Sequence, residues 1–230
     1  MKILLITNYW TPYNDSGTIR WWNFAKYINL DVLTVRKTKG IYDETLEERG
    51  NDVKRIRNFS NISCLNGLLL SIRSLFAKAD IYVFTTPPET LLIGAWLLQK
   101  MGRKVVVDLR DKIDRPHQPV KLLIPLYKWL YKKLNNVVVV DKVVDDTKPI
   151  IHHGHDSLQL KLHQQYPMPK GRFNHRDYNE LLMRGFVPKQ KVKGYPQSSF
   201  ANLEFLWNGT FYQTWEHQAN LMKQYLEKKC

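Results

Sequence analysis

Read for hydrophobic and polar positions alone, the first two thirds of the chain alternate short apolar blocks with amphipathic stretches, separated by turn-forming residues. Ile3, Leu4, Leu5 and Ile6 form the first block, a run that suits a central parallel strand covered on both faces. Pro12, Asn14, Asp15, Ser16 and Gly17 break it, and residues 18–28 follow with Ile19, Trp22, Phe24, Ala25 and Ile28 on one helical face. The plan then recurs. Asp31 to Val35 reads as a second strand and Val53 to Ile56 as a short third, with a polar excursion between them. Ser60 or Asn61 stands where it can cap a helix whose apolar positions include Leu65, Leu68, Leu69, Ile72, Leu75 and Phe76. Ile81 to Phe84 is a fourth strand, and the helix from Leu91 to Met101 ends at Gly102, as a glycine C-cap requires. Lys104 to Leu109 carries the β-branched block Val105, Val106 and Val107; a helix from Leu122 to Leu134 and a strand from Val137 to Val140 complete the series.

This alternation predicts an α/β domain over residues 1–156, a doubly wound, Rossmann-like and mostly parallel sheet with helices on both faces. From 157 to 200 the periodicity fades while prolines, glycines and basic residues accumulate, which reads as a linker or insertion with a short helix at Tyr178 to Met183. Residues 201–230 hold one more strand, Leu203 to Trp207, and one more helix, Glu216 to Lys228. A single strand–helix unit cannot bury its own face, so it must dock elsewhere or open a further domain.

Charge changes the picture more than composition does. Thirty-five Lys and Arg against twenty-one Asp and Glu leave +14, a field that attracts phosphates, nucleic acid or an anionic membrane face. No RNA- or DNA-recognition motif accompanies the charge, which disfavours a nucleic-acid partner. The helix from Leu122 interleaves Tyr127, Trp129 and Tyr131 with Lys128, Lys132 and Lys133: either the aromatics are core and the lysines a solvated face, or the helix seats the protein on a membrane. The apolar stretches are too short to span a bilayer, and Cys64 and Cys230 make no disulfide framework, so a cytoplasmic protein is expected, peripheral at most to the inner membrane face.

Three stretches hold candidate chemistry. Gly17, between strand and helix, marks either an ordinary turn or a place where backbone N–H groups approach an anion at a helix N-terminus. Asp108, Arg110 and Asp111 close the fifth strand where a parallel sheet opens into its ligand crevice, or else form an ion pair at a strand end. His152, His153 and His155 suggest a metal, but adjacent histidines on an extended segment point to opposite faces and no partner cluster has a zinc-like spacing, so no metal is expected.

Taken together, KILLITNYWTPYNDSGTIRWWNFAKYI, DIYVFTTPPETLLIGAWLLQKMGRKVVVDLRDKI, LYKWLYKKLNNVVVVDK and KPIIHHGHD resemble the N-terminal half of a GT-B glycosyltransferase of the family 4 type that builds bacterial surface polysaccharide. LEFLWNGTF is similar to the first strand of that family's C-terminal domain. The resemblance implies transfer of a sugar from a nucleotide-sugar donor to a saccharide or lipid-linked acceptor, with no cofactor beyond the nucleotide sugar as substrate. Gly17 would face the donor diphosphate; Arg20, Thr86, Glu89, Arg110 and Asp111 would line the acceptor cleft. The family commonly places an Arg and a Lys on the diphosphate after that strand, and residues 211–216 contain neither. This departure sets up the alternative: a truncated, inactive acceptor-binding module that needs a separate donor-binding subunit.

Overall fold

The computed structural model of the chain describes residues 1–13, 16–36, 43, 46–58, 62–113, 121–140, 144–152, 170–173, 186–188, 200–207 and 214–229. Strands β1 (Ile3–Ile6), β2 (Leu30–Val35), β3 (Val53–Ile56), β4 (Ile81–Thr86), β5 (Lys104–Leu109) and β6 (Val137–Val139) form one sheet in the order β3-β2-β1-β4-β5-β6. Every pairing in it is parallel. Helices α1 (Ser16–Phe24), α2 (Ser63–Ser74), α3 (Leu91–Lys100) and α4 (Ile124–Lys133) lie between successive strands, and a 3-10 turn at Lys121–Leu123 leads into α4. With α5 (Trp215–Lys229), five helices among the described residues flank the sheet, and the fold is the Rossmann-like, doubly wound α/β architecture that the apolar blocks predict. Parallel strands need crossover helices on their faces, and β1 and β4 are accordingly buried along their whole length.

The chain divides into two compact units, Met1–Ile151 with Ala219–Cys230, and His152–Gln218. The second contains β7 (Lys170–Phe173), β8 (Phe186–Pro188) and β9 (Phe200–Trp207), with β9 antiparallel to both neighbours. The strand expected at Leu203 to Trp207 is the later part of β9. The helix expected after it belongs mainly to the first unit, because Ala219, Met222 and Leu226 form a fully buried stripe. The strand–helix pair over 201–230 is therefore shared between the units. The expected helix at Tyr178 to Met183, most of the 157–200 stretch, the Ser60 and Asn61 caps, and His153 and His155 lie outside the described residues.

One face of the first sheet packs Leu4, Ile6, Tyr82, Phe84, Val105 and Val107 against Leu70 of α2, Leu91, Leu92 and Ala95 of α3, and Tyr127 and Leu130 of α4. Two helices turn a different side inward from the one their apolar periodicity suggests. α1 ends at Phe24 and buries Arg20, Trp21 and Phe24, while Trp22 stays partly exposed. α2 buries Asn66, Gly67, Leu70, Ser71 and Ser74 and leaves Leu65, Leu68, Ile72 and Phe76 exposed. The reason on α2 is close helix approach. A Cβ on Gly94 of α3 would lie 2.7 Å from Ser71 Cβ and 2.8 Å from Ser71 Cα, so only small residues fit between these helices.

Gly94→Val is therefore expected to lower the unfolding free energy by about 1–3 kcal/mol, since the facing Ser71 Cα and the Cβ fixed to it cannot swing aside. Urea denaturation reads it. An unchanged midpoint would mean that α2 and α3 separate without penalty.

Candidate functional site

From β1 and β4, at the centre of the sheet, the strand order runs outward in opposite directions, to β2 and β3 on one side and to β5 and β6 on the other. In open α/β sheets the ligand crevice lies outside the carboxyl ends of the strands at such a switch point. The segments bearing Gly17, Thr86 and Arg110 all emerge there, after β1, at the end of β4 and after β5.

Arg110 draws them together. Its Nε donates to the Thr86 carbonyl at 2.8 Å, and its guanidinium lies against Gly17 so closely that a Cβ there would overlap it. Gly17 is needed for that approach rather than for an unusual backbone angle. Asp111 follows at the same edge, partly exposed. Glu89, in the turn before α3, is 5% exposed, and its charge reaches Tyr127 on α4. Burial, then Glu89 and Cys64, push the Tyr127 phenol up to about 12.

Arg20 occupies a different environment from a cleft-lining residue. Its guanidinium and the Asp108 carboxylate are both 0% exposed, joined by a two-pronged bond of 3.2 Å from Nε to Oδ2 and 3.3 Å from the terminal nitrogen to Oδ1. Trp21 Nε1 donates to Oδ2 at 2.7 Å, and the Thr85 hydroxyl lies 3.5 Å from the same oxygen. Burial pulls the Arg20 pKa down, Asp108 opposes this, and the Arg110 charge adds to the lowering, so the two guanidinium groups feel each other. Arg20 thus stands behind the crevice and reaches it through its neighbours.

The loop after β1 is braced from below. Tyr9 stacks on Tyr13 with ring centroids 4.3 Å apart, and its hydroxyl shares a hydrogen bond with Ser63 at the start of α2. Trp10 Nε1 donates to the Arg49 carbonyl, and Arg55 donates to the Thr11 carbonyl. The Arg49 guanidinium in turn lies 3.4 Å from the Trp22 ring centroid. The polar excursion between β2 and β3, whose sequence suggests only a surface stretch, holds the Gly17 loop in place through its described residues.

Asn8 escaped sequence reasoning. It is 1% exposed, two residues beyond β1, and neither of its amide atoms has a hydrogen-bond partner. The Thr86 hydroxyl, at the end of neighbouring β4, is equally buried and unpartnered, as are the hydroxyls of Thr11 and Thr34. A buried polar group without a partner costs about 1–3 kcal/mol, and here four such residues lie in the carboxyl-terminal ends of β2 and β4 or beyond that of β1. Asn after a strand reads as a turn former, and nothing local in the sequence marks this one as buried. Arg110, partly exposed, and the start of α1 can recognise an anionic ligand, whereas the orphan amide and hydroxyl groups lie sealed just beneath that edge.

The fold and this edge define a doubly wound α/β protein with Gly17, Thr86 and Arg110 gathered at its switch point. No protein-family model matches the chain, and no curated protein matches it.

Removing one partner of the buried pair is expected to be severe. Asp108→Asn should destabilise the first unit by about 3–5 kcal/mol, whereas Arg20→Met with Asp108→Leu should lose far less, because no charge is then left buried alone. Chemical denaturation of the single and double variants distinguishes them, and a loss under about 1 kcal/mol for Asp108→Asn would mean the pair behaves like a surface one. Tyr127 gives a second test. Its folded pKa lies above its unfolded value, so between about pH 10 and 12 the unfolded chain has lost a proton that the folded one keeps, and stability falls as pH rises through this window. Tyr127→Phe should make that alkaline decline shallower in denaturation curves measured at successive pH values.

Proposed function

We propose that this chain acts in glycosyl transfer, from a nucleotide sugar to a saccharide or lipid-linked acceptor in surface-polysaccharide synthesis, with the first unit supplying the acceptor side. The observation that carries the reading is the contact of the Arg110 guanidinium with Gly17 beside the Thr86 carbonyl, at the switch point of a parallel sheet. Sugar transfer from a nucleotide needs donors on a leaving diphosphate and an acceptor hydroxyl held in line. Gly17 and the first turn of α1 offer backbone N–H groups to the diphosphate, and Arg110 offers a cation beside them. Asn8 and the Thr86 hydroxyl are buried and unpartnered, and would meet the hydroxyls of a sugar only if ligand binding uncovers them. Glu89 and Asp111 complete the acceptor side. Arg20 is a positioning residue: through Asp108 it fixes α1, and with α1 the place of Gly17.

A second reading keeps the same crevice but assigns donor binding to a separate subunit. It is favoured by the second unit, whose described strands form an antiparallel sheet rather than a parallel nucleotide-binding one. Release of nucleoside diphosphate, measured with the purified chain and a polyprenyl-linked acceptor, separates the two. Turnover by the chain alone supports the first reading; turnover only with an added donor-binding subunit supports the second.

Gly17→Ala is expected to push Arg110 aside, an inexpensive movement because the atoms met are the end of a flexible side chain. Affinity for a nucleoside diphosphate, read by calorimetry, should then fall about tenfold or more while the melting temperature changes little. Arg110→Ala should do the same. Unchanged affinity in both variants would remove the diphosphate from this edge.

A further inference from the structure

Helix α2 faces the wrong way for a soluble protein. Its inward side is built from Asn66, Gly67, Leu70, Ser71 and Ser74, whereas Leu65, Leu68 and Ile72, with Ile62 just before the helix and Phe76 just after it, are exposed, Phe76 by 80%. The inward choice is set by the close approach of α2 to the turn before α3 at Gly67 and to α3 itself at Gly94, which leaves the apolar stripe on the outer side. It runs the length of a 12-residue helix, about 18 Å. The 3-10 turn and α4 repeat the feature. Leu122 of the turn, with Leu126 and Trp129 of α4, spaced four and three apart, are exposed, Leu122 by 88%, and the Trp129 ring centroid lies 5.5 Å from that of Trp96 on α3, the helix between.

The charge on this face has one sign. The helices α2, α3 and α4 contain no Asp or Glu, but carry Arg73, Lys100, Lys128, Lys132 and Lys133. Of the acids near these helices, Asp80, beyond α2, accepts from the Lys2 backbone N–H, Asp145 accepts from the Tyr131 hydroxyl of α4, and Asp146 is exposed beside it. A two-fold contact with a second copy would set this cationic face against itself. Long apolar stripes edged by Lys and Arg, with a Trp among them, instead match a bilayer interface. The apolar groups sit there among the upper acyl chains and the cations lie at anionic headgroups. Among the described residues, no helix is long and apolar enough to cross a membrane, so the contact is one of lying on the surface.

We propose that the outer face of α2, α3 and α4 is a docking surface for an anionic lipid bilayer, with Leu65, Ile72, Phe76 and Trp129 entering the interface. The inference uses no residue of the crevice, and its test uses no sugar transfer.

Flotation of the full chain with vesicles of phosphatidylcholine alone, or of phosphatidylcholine with phosphatidylglycerol, tests it. Binding is expected to the anionic vesicles only, to weaken with added salt, and to be lost in Ile72→Glu with Phe76→Glu. Each of Lys128→Gln and Lys132→Gln should weaken it about fivefold. All four positions are exposed, and circular dichroism should show the fold retained. Absence of binding to anionic vesicles at low salt would overturn the proposal, as would binding that survives the double glutamate variant. So would a chain that sediments as a dimer dissolved by that variant without binding lipid, or one that binds soluble polyglutamate but no vesicle.

Discussion

The buried pair of Arg20 and Asp108 is the contact on which the arrangement of the crevice depends. It joins α1, the helix that follows β1, to β5, which is separated from β1 in the sheet by β4, and both charges are fully removed from water. Transferring two ions into an interior costs several kcal/mol each, and attraction offsets this only when geometry is good and the remaining lone pairs are satisfied. Here the guanidinium fork meets both carboxylate oxygens and the Trp21 indole supplies a further donor. An apolar pair of similar volume could hold the helix as firmly. What the charged pair adds is direction, since a planar fork fits its carboxylate in few orientations. With α1 so fixed, Gly17 has a defined place, and the Arg110 guanidinium can lie against it.

This explains which parts of the molecule were legible in the sequence. Buried strands announce themselves because a parallel sheet covered on both faces demands continuous apolar residues, and the block at Val105 to Val107 admits little else. The stop of α3 was equally readable, since Gly102 adopts a φ of 75° that other residues disfavour. Helix orientation was not. Periodicity assumes that the apolar side is the buried side, and α1 departs from this because Asp108 draws in Arg20 and Trp21. α2 departs because glycine and serine permit a helix contact that large residues would block. Gly17, Thr86 and Arg110 were legible as strand-end residues, but their mutual contact is a tertiary fact. Asn8 carries no local mark that separates a buried orphan amide from a turn former.

The direction of α2 links the crevice to the apolar face. At its first residue, Ser63 shares a hydrogen bond with Tyr9, which follows the carboxyl end of β1; beyond its last turn, the Asp80 backbone N–H donates to the carbonyl of Lys2, before the amino end of the same strand. The helix therefore runs antiparallel to β1, from one edge of the sheet to the other. Its exposed stripe starts with Ile62 and Leu65 at the crevice edge and finishes at Phe76 on the far one. A domain lying on a bilayer by this stripe would hold its crevice at the rim of the contact, neither pressed into lipid nor raised far above it. For an acceptor whose reacting sugar stands at the headgroups on a lipid anchor, approach would then be lateral, and the anchor would never have to leave the acyl region. The loss of translational freedom that a soluble encounter must overcome would be met largely by the surface itself, so weak contacts at Asn8, Thr86 and Arg110 could suffice to orient the hydroxyl.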